Sequence, residues 1–231
     1  MPILSLAEPG KSIECFFIVA ILWIFSLSLH EFGHAWVAYR GGDHTVADKG
    51  YLTMNPFRYL HPVQSLLLPM IFVVLGGIGL PGGAVYINRA LLRSRTWDTA
   101  VSLAGPAMDL ILILLLGFAF KFGLIPPDRE NLFTISLAFL LRLLISALLL
   151  NMLPVPPLDG FQAIAPWLPR APREQLLGLS NVGMFIVLLS LWFIPSVSSA
   201  FWGTVASLSS VFDVEPAWVR AGYGAFRFWG P

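Results

Sequence analysis

Residues 30–34 read HEFGH, two histidines four positions apart with a glutamate directly after the first. On an α-helix, residues i and i+4 lie on one face, so both imidazoles can reach a single ion. The glutamate is rotated away from direct ligation but lies close enough to hold a water molecule on that ion. In the H-E-x-x-H arrangement, two imidazoles bind zinc and the glutamate takes the proton of the water. The sequence therefore predicts a zinc site at His30 and His34, with Glu31 as the base.

The surroundings of this pentapeptide are apolar. HEFGH lies in a run from Cys15 to Tyr39, which is long enough to cross the hydrocarbon layer. Of the whole chain, 57% is hydrophobic and only 12% is charged, whereas a soluble domain is about one-quarter charged. Ionisable groups at membrane depth are costly and are functional by default. Together these features predict a multi-pass integral membrane protein, in the cell membrane if the source is prokaryotic, with the lipid bilayer as its surroundings.

The composition argues against nucleic-acid binding and against structures that need several cysteines. The net charge is +1 and no basic tract occurs, so nucleic acid is not a predicted partner. Cys15 is the one cysteine, which excludes an internal disulfide and a cysteine metal cluster.

The other apolar runs define the predicted fold, an all-α polytopic membrane protein with about five transmembrane helices. The predicted spans after the first are 99–120, 132–150, 177–194 and 197–212. The run 66–80 is short and contains Pro69 and three glycines, so we predict a re-entrant segment there. GYLTMN, residues 50–55, is predicted to be a strand of a small β-hairpin-like loop at the membrane. We expect one domain over 1–231, with its core at about 13–165, C-terminal helices at 177–212 and a cytoplasmic tail at 213–231.

The distribution of lysine and arginine predicts the orientation. If 66–80 does not cross, the side reached after the first helix holds ten of these residues and the other side holds three. If it does cross, the split is eight to five. The positive-inside rule favours the first topology, with the HEFGH end of the helix at the cytoplasmic side.

A third zinc ligand is suggested by Asp159 in NMLPVPPLDG, residues 151–160, directly after the 132–150 run. The prolines cannot continue a regular helix, so we predict extended backbone that aims Asp159 sideways at the metal. The alternative is a proline-rich helix end with a capping aspartate. With 66–80 re-entrant, HEFGH and LDG both lie near the cytoplasmic ends of their helices, which favours shared ligation.

HEFGH followed by NMLPVPPLDG resembles the two signatures, HExxH and NxxPxPxLDG, of the site-2 protease family of intramembrane zinc metalloproteases. GDHTVADKGYLTMNP and SLAGPAMDL are similar to the family elements GDxTA…GRLTLNP and AGPxxN, and the resemblance covers roughly residues 20–165. It implies a Zn²⁺ cofactor held by His30, His34 and Asp159, with Glu31 as general base. It also implies that Asn151 contacts the substrate carbonyl or the developing oxyanion. The implied substrates are transmembrane proteins or membrane-bound peptides, as in regulated intramembrane proteolysis, and the chain resembles members without a PDZ or CBS domain.

Two departures from the family pattern stand out. YLHPVQS, residues 59–65, occupies the place of the family's HIDPxGT, and Asp109 replaces the asparagine of AGPxxN. Asp109 and Arg142 lie at similar depths when counted from the ends of their helices. We therefore predict an ion pair between them, with an Arg142 that snorkels or lines a wet cavity as the alternative.

Three other functions fit parts of the sequence. A different membrane zinc protease would take its third ligand from Glu174 or Glu215, but neither lies in a suitable helix motif. A metal transporter would use the same histidines and carboxylates as a transit site. An inactive scaffold would bind spans without cutting them. The Glu31→Gln substitution separates a protease from a transporter, because transport has a different need for a proton acceptor.

Overall fold

The computed structural model describes residues 9–55, 85–128 and 131–227. These residues are mostly helical and contain no strand. The helices are α1 Pro9–Gly41, α2 Thr45–Asp48, α3 Arg95–Lys121, α4 Leu132–Asn151, α5 Asp159–Ile164, α6 Arg170–Leu177, α7 Ser180–Phe193, α8 Pro195–Ser210 and α9 Pro216–Phe226, with 3₁₀ turns at Arg89–Leu91 and Ala165–Trp167. The predicted re-entrant segment at 66–80 lies outside the described residues.

Three of these helices are long and apolar enough to cross a membrane: α1 from Ser12 onwards, α3 and α4. At 1.5 Å per residue, α1 is about 50 Å long, well beyond the roughly 30 Å hydrocarbon layer. Side-chain caps fix where α3 and α4 begin. Ser94 Oγ accepts a hydrogen bond from the Trp97 amide, and Asn131 Oδ1 accepts one from the Phe133 amide.

Of the three long helices, α4 is the most buried, and α1 and α3 both pack against it. Helix α1 runs parallel to α4, since Ser136 Oγ lies 3.1 Å from Cys15 Sγ near the start of both helices. It runs antiparallel to α3, which turns back along it. A Cβ added at Gly33 would lie 2.8 Å from the Ala104 carbonyl oxygen. The small residue thus allows the backbones of α1 and α3 to meet where the HEFGH motif lies.

The predicted spans at 177–194 and 197–212 form α7 and α8, of 14 and 16 residues. At 1.5 Å per residue these helices are about 21 and 24 Å long, shorter than the hydrocarbon thickness. Pro195 separates them, because proline cannot continue α7 but fits the first turn of α8. A fourth span is reached only if α6 and α7, which are bent by 64° relative to each other, count as one broken span.

The C-terminal helix α9 packs at the end of the bundle opposite to HEFGH. The Gly222 carbonyl accepts a contact from Cys15 Sγ at 3.6 Å, and the Phe226 ring lies 5.2 Å from that of Phe16. Lys121, at the end of α3, donates to the Val211 carbonyl at 2.8 Å. The prediction of a tail from 213 on the same side as HEFGH is therefore wrong for the described part of that segment. Helix α8 runs back along α4 and carries the chain to the other end.

The predicted strand GYLTMN is also wrong. Residues 50–55 form a turn and bends, with Gly50 at a φ of 73°. Thr53 Oγ1 donates to the Gly50 carbonyl at 3.1 Å. Local side-chain bonds of this kind compete with strand pairing, which explains why this segment does not form a strand.

Candidate metal centre

Both histidines of HEFGH are buried and face α3. His30 and His34 are 6% and 7% exposed, and their Nε2 atoms lie 3.0 Å apart. They stand seven and eleven residues before the end of α1, which corresponds to roughly 10 to 17 Å along the helix. The two imidazoles therefore lie well inside the apolar part of the molecule.

The other ring nitrogen of each histidine is held by an acceptor from α3. His34 Nδ1 donates to the Val101 carbonyl oxygen at 2.6 Å, and His30 Nδ1 donates to Asp109 Oδ2 at 2.7 Å. A carbonyl oxygen has no proton to offer, so His34 must carry its hydrogen on Nδ1. Such contacts fix the tautomer of metal-binding histidines and leave Nε2 free to act as a ligand.

Asp159 completes a triangle of ligand atoms. Its Oδ2 lies 3.2 Å from His30 Nε2 and 3.5 Å from His34 Nε2. Ligands about 2.05 Å from a tetrahedral zinc ion are about 3.3 Å from each other, by geometry. The three observed separations of 3.0, 3.2 and 3.5 Å match that value. The residues predicted from the sequence as a ligand set do meet at one point.

The chemistry of the three atoms also fits a cation. The Nε2 atoms of the two imidazoles and a carboxylate oxygen of Asp159 all point to one place. Burial raises the pKa of the Asp159 carboxyl, but the facing His34 and His30 outweigh this and hold its pKa below the usual range. The Asp159 carboxyl is therefore ionised and can serve as a metal ligand. Three protein ligands with one position left open is the pattern of a catalytic zinc site.

A tight turn, not an extended strand, delivers Asp159. Residues 152–158 form turns and bends, with a cis peptide bond between Pro156 and Pro157, so the prediction of extended backbone is wrong. The chain folds back so closely that a Cβ on Gly160 would lie 2.3 Å from the Met152 carbonyl oxygen. No residue with a side chain fits there without a shift, which explains the glycine after the aspartate.

Helix α5, which begins at Asp159, is docked onto the start of α3. Thr99 Oγ1 donates to the Ala163 carbonyl at 2.7 Å and accepts from Trp167 Nε1 at 2.8 Å. Helix α3 thus positions all three ligands, the histidines directly and Asp159 through α5.

Glu31 is buried, with 6% of its surface exposed. Its Oε2 accepts a hydrogen bond from the Val85 amide at 3.0 Å. The segment that carries Val85 is tied to the region after α1 at two further points. The Asn88 amide donates to Asp43 Oδ2 at 2.7 Å, and Lys49 Nζ donates to the Tyr86 carbonyl at 3.2 Å. The carboxylate next to the first ligand is therefore held by backbone that is itself anchored.

Asn151 is the last residue of α4 and is 3% exposed. It lines a small cavity of about 10 Å³ together with His30 and Asp109. Trp23 also lines it, and its buried Nε1 has no hydrogen-bond partner in the part of the chain that the structure describes. The residue that the family pattern assigns to substrate contact thus lies beside the ligands.

The predicted ion pair between Asp109 and Arg142 is wrong. Asp109 faces α1 and binds His30, whereas the Arg142 guanidinium lies over the Trp202 ring, 4.3 Å from its centroid. The two residues lie at similar depth, but depth counted from helix ends does not give the direction in which a side chain points. The unusual aspartate of the SLAGPAMDL motif was the available signal of a residue that supports the ligands.

The sequence of this chain is similar to those of several zinc metalloproteases. A Mycobacterium tuberculosis protein named "Putative zinc metalloprotease Rip2" is 44% identical over 222 residues, which cover 96% of this chain and 84% of the relative. The protein of the same name from Mycolicibacterium smegmatis is 40% identical over 223 residues, with the same coverage of 96% and 84%. Bacillus subtilis YwhC, which carries the corresponding name, is 32% identical over 190 residues, or 80% of this chain and 84% of that protein. No family model and no solved structure matches the chain.

Proposed function

Because this chain belongs to the site-2 protease family of zinc metalloproteases, we propose that it is an intramembrane endopeptidase. It would hydrolyse peptide bonds in or near the transmembrane segments of membrane proteins or membrane-bound peptides. The relatives and the three membrane-length helices indicate a membrane-associated zinc metalloprotease.

One observation carries the proposal: two of the three predicted zinc ligands lie inside a membrane-length helix, and the third follows another such helix. His30 and His34 lie within α1, and Asp159 follows α4 after one turn-rich loop. A peptide bond that is itself in the membrane can reach the site laterally, provided that its helix unwinds to expose a carbonyl.

The chemistry divides between the bound ion and the side chains around it. His30, His34 and Asp159 would hold the zinc ion, which would supply Lewis-acid polarisation of the scissile carbonyl and a lowered pKa of water. Glu31 takes the proton of the attacking water and later delivers it to the leaving amine. The Val85 amide keeps the Glu31 carboxylate in place between these two transfers. Asn151 offers its amide to the substrate carbonyl or to the developing oxyanion, from its position beside His30.

For the orientation, we propose a multi-pass protein of the cell membrane with the metal centre near the cytoplasmic side. The support is the distribution of cations around the metal-centre end of the bundle. The exposed arginines there are Arg40, Arg93, Arg95 and Arg170. Cytoplasmic loops are enriched in such residues. Arg220 and Arg227 lie in the C-terminal segment at the other end, which weakens the asymmetry predicted from sequence without reversing it.

The proposal is tested by cleavage in proteoliposomes. The probes are single-span polypeptides labelled at both ends, with a helix-breaking Gly-Pro pair at different depths in the span. Wild type is compared with Glu31→Gln and with Glu174→Gln, a matched change at an exposed glutamate of α6. Zinc content is measured in all three proteins.

We expect one zinc ion per chain in every variant. Cleavage within the span should fall by about 100-fold or more in Glu31→Gln, the scale of a lost general base, and stay unchanged in Glu174→Gln. Equal cleavage by wild type and Glu31→Gln would refute the role of Glu31. Zinc-loaded wild type that cuts none of the spans would refute the intramembrane protease.

A further inference from the structure

Asp109 is a buried carboxylate in the middle of α3, only 4% exposed, at the depth of the metal centre. A charge in this position requires a partner, because an uncompensated carboxylate at membrane depth is strongly unfavourable. Arg142 does not serve, since it lies over Trp202. The partner is His30, through the 2.7 Å contact between Asp109 Oδ2 and Nδ1.

One face of α3 matches the two histidines along its length. Val101, Gly105 and Asp109 are each four residues apart and therefore share a face. The Val101 carbonyl holds His34, and Asp109 holds His30. Between them, a Cβ on Gly105 would lie 2.3 Å from His34 Nε2 and 2.5 Å from His30 Nε2. This face thus presents one acceptor to each histidine, and between the two acceptors a glycine that leaves room for both Nε2 atoms.

The two acceptors differ in charge, and this difference matters for a divalent ion. The ligand set of two neutral imidazoles and one carboxylate leaves one positive charge of Zn²⁺ uncompensated. The low dielectric constant of the surroundings makes such a residual charge costly. Asp109 supplies the second negative charge across the His30 ring, while Glu31 is the carboxylate whose charge changes as it takes up a proton.

We propose that Asp109 is a positioning residue of the zinc site that acts through His30. It fixes the ring with Nε2 towards the ion and balances the second charge of the metal. Carboxylate–histidine–zinc arrangements raise the basicity of the ligand, and removal of the outer partner lowers metal affinity by about 10- to 100-fold. Where the AGPxxN pattern named above has an asparagine, this chain has Asp109 and so places a carboxylate beside His30. The inference rests on the zinc site of the proposed function but not on its substrate.

The test compares two substitutions that remove different properties of Asp109. Asp109→Asn keeps the shape and a carbonyl acceptor but removes the charge. Asp109→Leu removes both. Asp98→Asn is the matched control, because Asp98 is a buried aspartate of the same helix that pairs with Arg89 instead of a ligand. Zinc affinity is measured by competition with a chromogenic chelator, and ligand geometry by the visible absorption of the Co²⁺-substituted proteins.

We expect zinc affinity to fall about 10-fold in Asp109→Asn and about 100-fold in Asp109→Leu, with an altered Co²⁺ spectrum in both. Asp98→Asn should bind zinc within about twofold of wild type. Wild-type affinity and spectrum in Asp109→Asn would overturn the charge balance, and wild-type behaviour in both variants would overturn the whole inference. Asp109→Asn is nearly isosteric, so it reports even if Asp109→Leu does not fold.

These readouts separate the inference from the proposed function. If wild type cuts no membrane span but the affinities rank as expected, the proposed function fails and the role of Asp109 stands. If cleavage occurs but the affinities do not change, the reverse holds.

Discussion

At the residue scale, Gly105 is a position where a small change should disturb the metal centre, although glycine has no chemistry of its own. A methyl group there would occupy the space between the two ligand nitrogens, at 2.3 and 2.5 Å from them. We expect Gly105→Ala to lower zinc affinity by about 100-fold or more, beyond the loss of an outer partner, and to abolish cleavage. Zinc titration of the purified variant checks this.

Gly203→Ala is the control for this prediction, because a Cβ at Gly203 of α8 meets nothing within 4 Å. Its zinc affinity and melting temperature should equal or exceed those of wild type, since alanine favours a helix by up to about 1 kcal/mol. Full zinc binding by Gly105→Ala would contradict the close approach of Gly105 to the two ligand nitrogens.

The candidate ligands were predictable from the sequence, but the residues that hydrogen-bond to them were not. HEFGH and LDG name His30, His34 and Asp159 because fixed spacing on a helix and a ligand-type residue in a known motif carry that information. The partner of Asp109 depends on which way α3 is rotated against α1. That rotation follows from close packing at Gly33 and Gly105, which no count along a single helix supplies.

At the element scale, α9 packs against α4 through a glycine. A Cβ on Gly222 would lie 2.1 Å from the Ile135 carbonyl oxygen and 2.8 Å from Phe139 Cβ. We expect Gly222→Ala to push α9 away and to destabilise the protein by about 1–3 kcal/mol, the usual cost of overpacking. Thermal unfolding in detergent measures this. Zinc affinity should stay unchanged, because the contact lies at the opposite end of the bundle.

Gly224→Ala tests the same helix at a position where a Cβ meets nothing within 4 Å. It should unfold at or slightly above the wild-type temperature. If Gly224→Ala loses as much stability as Gly222→Ala, then α9 is sensitive to any substitution. That result would contradict a specific contact at Gly222.

The turn that carries Asp159 gives a second prediction at this scale. Gly160→Ala forces a Cβ to within 2.3 Å of the Met152 carbonyl oxygen, so the turn must open and Asp159 must move. We expect weaker zinc binding with both histidines still in place. Co²⁺ absorption should report a changed coordination, and an unchanged spectrum would mean that the turn does not set the position of the ligand.

The long helices were predictable to within a few residues, while the segments between them were not. Apolar length and capping residues fix α3 and α4. The proline run and GYLTMN both have compositions typical of extended backbone. A local hydrogen bond bends GYLTMN, and the close approach of Gly160 to Met152 folds the proline run back. Short segments take their conformation from what they pack against, and a sequence pattern does not contain that partner.

At the scale of the whole molecule, zinc joins parts of the chain that are far apart in sequence. His30 and His34 belong to α1, and Asp159 follows α4. A ligand that binds only the folded state stabilises it by about 4 kcal/mol when its free concentration is a thousand times Kd. We expect a strong chelator to lower the melting temperature of wild type, and added zinc to restore it.

His34→Ala provides the reference for that experiment, because it removes a ligand. Its melting temperature should not respond to chelator or to zinc. A wild-type protein equally indifferent to both would show that no metal bridges these helices.

The most direct measurement is X-ray absorption at the zinc edge of the purified wild-type protein, together with its zinc content. The structure predicts one zinc ion per chain, with nitrogen and oxygen ligands at about 2.0–2.1 Å and the scattering of two imidazoles. No sulfur contribution is expected, since Cys15, the sole cysteine of the chain, lies far along α1 from His30. Absence of stoichiometric zinc, or a shell with fewer than two imidazoles, would contradict the metal centre built from His30, His34 and Asp159.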